Sequence, residues 1–247
     1  MISLVRIELL KLRTTPAALV ALALAFVLTV ASVLTTILLA GQPGTARLGS
    51  VENVSQVLSI GVVTSFSMLI LGVMLSAGEE RHRTSVGTYL AEPRRGRVLL
   101  AKLVTAGLVG TVGGTVVFGL DLAIAVPVFA ARGVHHLPVH IASLWAGTTL
   151  LTACFGLLGV ALGALTRNTV AAIIGALVWA AVIELSFLQP LFPSLAKWLP
   201  TGAAVSLTVA TDHRDLLPPA MAALVLLGWA IAVALTATRF TLGREPR

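Results

Sequence analysis

Charge is the property that this sequence has least of. Only 11% of its 247 residues are Asp, Glu, Lys or Arg, whereas 57% are hydrophobic, and the mean hydropathy is +0.99. Soluble proteins carry about 25% charged residues, because charged side chains keep a folded surface in water. The composition therefore excludes an ordinary soluble domain. It favours a membrane protein, and the chain is long enough for six spans of about 20 residues each.

Cysteine and the common catalytic motifs are also scarce. Cys154 is the only cysteine, so a disulfide framework and a thiolate metal site are excluded, and we interpret it as a small apolar core residue. The chain has no G-x-x-x-x-G-K-[ST] phosphate loop, no H-E-x-x-H and no G-x-S-x-G. We therefore expect no catalytic residue and no bound cofactor in this chain, and any powered work must draw its energy from a partner.

The histidines near the middle of the chain give little support for a metal site. His135, His136 and His140 are close in sequence, but Pro138 prevents the i, i+4 spacing of helical ligands. No carboxylate lies nearby in the sequence to complete a ligand set. We interpret them as solvated loop histidines and expect no metal.

The apolar segments predict an all-α, polytopic fold with one transmembrane domain, 1–247. The six spans are predicted at 17–40, 57–77, 99–129, 141–165, 169–188 and 220–238. Span one has about 24 apolar residues, well beyond the 7–15 of a signal-peptide core, so we interpret it as a retained span. Span three is interrupted by Asp121 and Pro127.

The polar segments predict what lies between the spans. Residues 1–15 favour an amphipathic helix in the membrane interface, with the apolar stripe Ile2, Val5, Leu9 and Leu12. Residues 42–56 favour a polar loop, and Arg167 and Asn168 a tight turn. Residues 189–219 favour an outer re-entrant loop, in which short helices at 193–199 and 203–209 flank a turn at 200–202.

The most densely charged part of the chain is the segment between spans two and three. From Gly78 to Lys102 it holds three carboxylates and six cations. It favours a short helix, Val86–Ala91, capped by Thr84 or Ser85 and stopped by Pro93. A simple reversal of the chain needs fewer residues, so we expect this loop, 78–98, to contact a partner.

The distribution of cations predicts the orientation of the chain. With the N-terminus inside, thirteen of the 17 Lys and Arg residues lie in cytoplasmic segments and four in outer loops. This asymmetry follows the positive-inside rule and places both termini in the cytoplasm. The cations flank apolar segments rather than forming one polar face, which argues against nucleic-acid binding despite the net charge of +7.

Two carboxylates, Asp121 and Glu184, lie inside apolar segments. Small residues share their helical faces: Gly107, Gly110 and Gly114 precede Asp121, and Ala172, Ala176 and Ala180 precede Glu184. Small residues allow close helix contact, so we expect both carboxylates, and the similar face of Gly159 and Gly163, to point into the bundle. Each carboxylate either serves a cationic or proton-coupled substrate or pairs structurally with Arg132, Lys197 or a backbone group, and the structural interpretation is favoured.

The charged segment and its surroundings resemble the ABC-2 type permeases, the membrane subunits of ATP-binding-cassette exporters. The shared order is an interfacial helix, two spans, E-x-R-x-x-(S/T), a short helix, Pro, a basic cluster and Ala-Lys entering span three. The matching residues are Glu79 or Glu80, Arg81 or Arg83, Thr84, Leu90, Pro93, Arg94, Arg97, Ala101 and Lys102. Arg83-Thr84 departs from the Gly-Thr of many relatives, whereas the stretch 198–203 is similar to the family's outer re-entrant segment.

The resemblance implies a six-span half-transporter in a bacterial plasma membrane, paired with a second copy or a similar permease. It implies a separate ATPase subunit under each half, which would hold ATP and Mg²⁺, and a coupling helix at Val86–Ala91. The coupling residues would be Glu79, Glu80, Arg81, Arg83, Thr84, Ser85, Val86, Tyr89, Leu90, Pro93 and Arg94. The lining of the translocation path would include Thr64, Ser65, Phe66, Met68, Glu184 and Phe187.

Three other functions are compatible with an apolar, multi-span chain. A proton-coupled secondary transporter would use Asp121 and Glu184, but it predicts an inverted repeat that the sequence does not display. A membrane anchor or sensor would not need carboxylates within its spans. A membrane-embedded enzyme would need a nucleophile–base pair, which the sequence lacks. For an exporter, the sequence leaves open drugs, peptides, lipids and glycans as substrates.

Overall fold

The computed structural model describes residues 1–42, 45–47, 49–59, 61–81, 94–134, 137, 139–209 and 216–243. Within these residues the secondary structure is helical and contains no strand. The helices are α1 Ile2–Thr14, α2 Pro16–Leu38, α3 Val51–Leu58, α4 Gly61–Arg81, α5 Arg95–Ala131, α6 Ile141–Thr166, α7 Thr169–Leu177, α8 Gln189–Leu191, α9 Pro193–Ala196, α10 Pro200–Thr208 and α11 Pro219–Leu242. Between α7 and α8 the chain continues as a π-helix, Val178–Leu188.

Six stretches among the described residues are long and apolar enough to cross a membrane. They are Leu19–Leu38, Val51–Gly78, Gly96–Ala131, Ile141–Thr166, Thr169–Leu191 and Pro219–Thr241. Each contains at least the 20 or so residues that match the hydrocarbon thickness of a bilayer. The chain is therefore an all-helical, multi-pass membrane protein, as its composition predicted.

The tight turn predicted between α6 and α7 is confirmed. Arg167 ends α6 in the left-handed conformation, with φ of 53°. The side chain of Asn168 then accepts hydrogen bonds from the backbone N–H groups of Val170 and Ala171 at 3.0 and 3.1 Å. This side-chain cap satisfies two of the donors that the first turn of α7 leaves without helical acceptors.

Helices α4 and α6 form the centre of the bundle, because glycines let their backbones approach closely. A β-carbon on Gly159 would collide with the carbonyl oxygen of Leu69, and one on Gly72 would collide with that of Gly156. Such contacts are typical of helix packing in membranes. The contact face predicted for span four is thereby confirmed.

Helix α5 packs against α6 through the glycine face that precedes Asp121. A β-carbon on Gly110 would lie 2.6 Å from the carbonyl oxygen of Thr152, and one on Gly114 would collide with the hydroxyl of the same threonine. The Thr152 hydroxyl in turn donates to the carbonyl oxygen of Gly110 at 2.8 Å. The predicted small-residue contact is therefore present and includes a hydrogen bond between the helices.

Burial decreases from the centre of the bundle to its edge. The most apolar parts of the α3–α4 and α6 stretches are 65% and 61% buried. The corresponding parts of α2, α7–α8 and α11 are only 24%, 17% and 22% buried. The edge helices consequently expose large apolar side chains, among them Phe26, Val27, Ile174, Leu224 and Ile231. An apolar surface of this kind is typical of contact with lipid or with another membrane subunit.

The segment 42–56, predicted to be a polar loop, ends in a helix instead. Helix α3 begins at Val51, where the side chain of Ser50 accepts a hydrogen bond from the backbone N–H of Asn53 at 3.2 Å. Val54 and Val57 of α3 are fully buried in an apolar cluster. The loop prediction was wrong because it relied on polar composition and missed the N-cap and the helical spacing of these valines.

Two further predicted breaks lie within continuous helices. Helix α5 passes through Asp121 and Pro127 without interruption. Pro127 is near the end of α5, where the loss of one hydrogen bond affects little of the helix. The turn predicted at 200–202 is the first turn of α10, because Pro200 occupies the first helical position, where proline is favoured.

Candidate functional site

A buried ion cluster, formed by Glu8, Lys11 and Lys102, joins three helices at one end of the bundle. The Lys102 ammonium of α5 donates to the Leu75 carbonyl oxygen of α4 at 2.6 Å and to Glu8 Oε2 of α1 at 3.3 Å. The Lys11 ammonium donates to Glu8 Oε1 at 2.7 Å. Glu8 and Lys102 are only 3% and 5% exposed. Charge-assisted hydrogen bonds thus hold α1, α4 and α5 at one point.

The cluster shows that α1 turns a polar face to the protein. Glu8 is the buried residue of α1, whereas Ile2 and Leu9 of the predicted apolar stripe are exposed. The stripe was predicted to face the membrane interface rather than the protein, and Leu12 at its end packs partly against the bundle. In a membrane the exposed side of a helix can be apolar, so hydrophobicity alone does not identify the side that contacts the protein.

The cluster lies close to residues 82–93, the part of the charged segment that lies between α4 and α5. Leu75 is six residues before the end of α4 at Arg81, and Lys102 is seven residues after the start of α5 at Arg95. At about 1.5 Å per residue, each lies roughly 10 Å from the helix end that flanks residues 82–93. The helices that enter and leave this segment are therefore fixed to each other and to α1.

Most of the predicted coupling residues lie outside the described part of the chain. Glu79, Glu80 and Arg81 form the last turn of α4, and Arg94 is the exposed N-cap residue of α5. The helix predicted at Val86–Ala91 lies outside the described residues, together with Arg83, Thr84, Ser85, Val86, Tyr89, Leu90 and Pro93.

Glu184 joins the π-helix to the first turn of α10. Its Oε2 atom accepts a hydrogen bond from the backbone N–H of Thr201 at 2.7 Å, and its Oε1 atom accepts one from Trp179 Nε1 at 2.5 Å. The carboxylate is almost fully buried, with 1% of the residue exposed. A π-helix brings residues five apart onto the same side, which places Trp179 beside Glu184.

The bond to Thr201 makes Glu184 a cap for α10. The Thr201 N–H is one of the donors at a helix N-terminus that have no helical acceptor, and a carboxylate there also faces the positive end of the helix dipole. Of the structural partners considered from the sequence, the backbone group is the one observed. Neither partner of Glu184 was recognised from the sequence. Trp179 is five residues before Glu184, a spacing that brings side chains together in a π-helix, and Thr201 is 17 residues after it on another helix.

Asp121 is buried in a different way. It is 0% exposed, and neither carboxylate oxygen has a hydrogen-bond partner among the described residues. Phe118 and Ala125, which share its side of α5, pack with Val33 of α2 and Leu144 of α6. Both carboxylates point into the bundle as expected, but of the two only Glu184 has polar partners among the residues that the structure describes.

The residues of α4 named for the translocation path contact other helices of the same chain. The Thr64 hydroxyl is 3.1 Å from the Thr29 hydroxyl of α2 in a buried pair. The ring of Phe66 meets that of Phe155 edge to face, with centroids 5.7 Å apart. These contacts pack α4 against α2 and α6.

The remaining path residues are divided between the interior and the surface. Ser65 and Met68 are buried, and the Ser65 hydroxyl donates to the Val62 carbonyl oxygen at 2.6 Å. Phe187, by contrast, is 57% exposed on the π-helix. The single chain therefore does not bring the six residues together around one space.

Glu184 lines a cleft of about 310 Å³ between the π-helix and the centre of the bundle, here called the Glu184 cleft. Its walls come from α4, α6, α7, the π-helix, α10 and α11. The residues that define it are Phe155, Leu158, Trp179, Glu184, Trp229 and Val233. The α4 contribution is Leu69 rather than any of the four α4 residues named for the path.

A second cleft, of about 430 Å³, lies between α3 and the segment α8–α10. Its walls include Glu52, Gln56, Gln189 and Lys197, so it is more polar than the Glu184 cleft. Side-chain hydrogen bonds tie its surroundings together: the Ser59 hydroxyl donates to the Thr208 carbonyl oxygen, and Ser206 Oγ accepts from the Leu217 N–H at 3.2 Å. These bonds fix α10 at its C-terminal end as Glu184 does at its start.

No protein-family model matches the chain, and the search of curated proteins gives no significant match. These comparisons therefore identify no relative from which a role could be transferred to this chain. Any function has to follow from the ion cluster, the buried carboxylates, the clefts and the charged segment.

The histidines considered as metal ligands are not assembled into a site in the described residues. His140 is the residue before α6, and its carbonyl oxygen accepts a hydrogen bond from the Ser143 hydroxyl at 2.7 Å. His135 and His136 lie outside the described residues. Among the residues described, no group of three His, Cys, Asp or Glu could hold a metal ion.

Proposed function

We propose that this chain is the permease subunit of an ATP-driven exporter of the ABC-2 type. It forms the translocation path together with a second copy or a similar permease, and two separate ATPase subunits bind ATP and Mg²⁺. The observation that carries the proposal is the ion cluster of Glu8, Lys11 and Lys102. It ties the interfacial helix α1 to α4 and α5, the two helices on either side of residues 82–93. A driving partner would bind and push at those residues.

The ion cluster supports coupling because it makes the two flanking helices move together. A displacement applied to residues 82–93 reaches α4 and α5, which Lys102 joins through the Leu75 carbonyl oxygen. Helix α4 then transmits it to α6 through the close contacts at Gly72 and Gly159. A chain of packed elements of this kind carries energetic coupling between distant sites.

Helix α1 acts as a support in the plane of the membrane surface. Ile7 and Leu10, on the side away from Glu8, are 49% and 60% exposed. Apolar side chains there enter the headgroup region, and the nearby Arg6 and Arg13 meet lipid phosphates. Because Glu8 is bonded to Lys102, α1 resists a tilt of α5 at the point where the driving force arrives.

The proposed orientation places the ion cluster and both termini on the cytoplasmic side of a bacterial plasma membrane. Thirteen of the 17 Lys and Arg residues then lie inside, in keeping with the positive-inside rule. The segment α8–α10 lies at the outer end and serves as the re-entrant closure of the path. Glu184 and Ser59 hold the two ends of α10, so that this helix moves with the spans.

Purification in mild detergent from the native cell, followed by native mass spectrometry and an ATPase assay, tests the proposal. We expect a stoichiometric ATPase with the wild-type chain and its loss from the Val86→Pro variant, in which the predicted coupling helix is broken. The matched control is Leu100→Ala, an exposed change on α5 outside the charged loop, which should retain the ATPase. Recovery of the permease alone at every detergent strength would contradict the exporter function.

A second candidate function is a proton-coupled secondary transporter. The observation that favours it is Asp121, which is fully buried and has no hydrogen-bond partner among the described residues. Intramembrane carboxylates often belong to proton relays. This function needs no partner ATPase, so the purification separates the two candidates.

A further inference from the structure

The Glu184 cleft is mostly apolar, and the one charged side chain among its described wall residues is the buried Glu184 carboxylate. Phe155, Leu158 and Val233 form much of its wall, and no Lys, Arg or His contributes to it among the described residues. Its volume of about 310 Å³ is at the lower end of the range for small-molecule sites. Its edge reaches the surface of the bundle, because Trp179 and Trp229 are 48% and 37% exposed.

The charge of Glu184 is not balanced by a cation within the described part of the chain. Its two hydrogen bonds come from neutral donors, the indole of Trp179 and the backbone N–H of Thr201. A carboxylate has about four acceptor positions, so about two remain after these bonds. Buried carboxylates are rare unless paired, and a pairing cation from outside would lower the free energy of this one.

Aromatic rings in the cleft wall add a second feature that favours cations. Trp179, Trp229 and Phe155 all line it. Both tryptophans are held by their N–H groups, since Trp179 donates to Glu184 and Trp229 donates to the Trp198 carbonyl oxygen at 2.9 Å. Indole faces attract organic cations most strongly when the surroundings are dry.

We infer that the Glu184 cleft binds lipophilic organic cations, and that these are the class of substrate that the proposed exporter carries. That these cations are transported rests on the proposed function, whereas their binding to the cleft does not depend on it. A neutral apolar molecule gains only the burial of its surface in this cleft. A lipophilic anion gains the same burial and is repelled by Glu184, whereas a lipophilic cation gains burial, ion pairing and ring contacts together.

Two ions of nearly identical shape and opposite charge test the inference. The purified wild-type chain in nanodiscs is dialysed to equilibrium against tetraphenylphosphonium or tetraphenylborate, with empty nanodiscs of the same lipid subtracted. We expect saturable binding of the phosphonium and at least about tenfold weaker binding of the borate. Equal saturable binding of the two ions, or none of the phosphonium, overturns the inference.

Variants identify the cleft as the place of binding. Glu184→Gln removes the charge but keeps a carbonyl acceptor for the Thr201 N–H, and it should weaken phosphonium binding at least about tenfold. Trp229→Leu should weaken it through the loss of a ring. Glu52→Gln, which removes an exposed carboxylate from the other cleft, should leave it unchanged. Undiminished binding by a monodisperse Glu184→Gln protein overturns the site.

The binding assay contains no ATPase, so the two hypotheses fail separately. A co-purifying ATPase without a preference for the phosphonium overturns the cation site and leaves the exporter. A clear preference for the phosphonium without any ATPase supports the cation site and overturns the exporter, leaving the proton-coupled transporter as the carrier of such cations.

Discussion

Glu184 accepts a hydrogen bond from the backbone N–H of Thr201 at 2.7 Å, which joins the π-helix to the first turn of α10. The bond ties a membrane-spanning helix to the short helices that follow it in the chain. Trp179 donates to the other carboxylate oxygen, so the Glu184 side chain fixes the Trp179 indole and the first turn of α10 relative to the π-helix. The stability of this junction can be tested apart from any transport function.

We expect Glu184→Ala to lower the thermal midpoint of the purified protein clearly more than Glu184→Gln does. Alanine leaves the buried N–H of Thr201 without an acceptor, at a cost of about 1–3 kcal/mol, and also removes the acceptor of the part-buried Trp179 indole. Glutamine keeps one carbonyl oxygen, so its main effect should be on substrate preference. The check is thermal unfolding in detergent, and equal midpoints for the two variants would count against the capping role.

The ion cluster predicts a large loss of stability when Lys102 is replaced. Lys102→Met leaves the buried Glu8 carboxylate with only Lys11 and should cost about 3–5 kcal/mol. Lys11→Met is the matched control, since the Lys11 side chain is 37% exposed and its pair should be worth about 0–1 kcal/mol. A double change, Glu8→Gln with Lys102→Met, should recover part of the loss. Denaturant unfolding of the wild type, Glu8→Gln, Lys102→Met and the double variant gives the coupling energy of the pair, and additive effects would argue against the pair.

Sequence patterns were sufficient for features that depend on neighbouring residues. The six apolar stretches, the turn at Arg167 and Asn168, and the glycine faces of α5 and α6 all follow from local composition and spacing. In each case the physical cause acts within one helix or one turn. The order and type of the spans could therefore be read before any tertiary contact was known.

Features that depend on distant partners could not be read in this way. Glu8 and Lys102 are 94 residues apart in sequence, and no local pattern relates them. The burial of Glu8 in α1 could not be predicted for the same reason, because its partner Lys102 lies on another helix. The π-helix also escaped detection, since its apolar residues fit an ordinary α-helix as well, and with it the partner Trp179.

The close contact of α4 and α6 predicts a sharp difference between two glycines. Gly159→Ala forces a methyl group into the Leu69 carbonyl oxygen and should destabilise the protein by about 1–3 kcal/mol. Gly228→Ala in α11 meets nothing within 4 Å and should be neutral or stabilise by up to about 1 kcal/mol. Thermal unfolding of both variants is the measurement, and a tolerated Gly159→Ala would show that the helices can separate without loss.

The charged segment predicts a separation of ATP hydrolysis from transport. We expect Val86→Pro, or Glu79→Ala with Glu80→Ala, to reduce transport in vesicles at least about tenfold while the spans remain folded, because the driving motion no longer reaches α4 and α5. The ATPase that stays bound to the Glu79→Ala, Glu80→Ala variant should continue to hydrolyse ATP, whereas Val86→Pro should lose its ATPase. Unchanged transport by these variants at normal expression would remove the coupling role.

Asp121 provides the prediction that separates the two candidate functions most directly. A carboxylate within a span costs about 2.5–3.5 kcal/mol on insertion scales, and this one has no partner among the described residues to repay the cost. Asp121→Leu, of similar size, should therefore raise the thermal midpoint, whereas Asp121→Asn should change it little because the amide is also polar.

Transport by the same two variants then decides what Asp121 does. In an ATP-driven exporter the energy comes from the partner, so both variants should transport at close to the wild-type rate in vesicles supplied with ATP. In a proton-coupled transporter neither leucine nor asparagine can carry the proton, so both should lose transport driven by a pH gradient while the protein remains folded. If the Asp121→Leu protein is stabilised and keeps full ATP-driven transport, the ATPase supplies the energy. If it is stabilised but inactive, Asp121 carries the proton and the pH gradient supplies the energy.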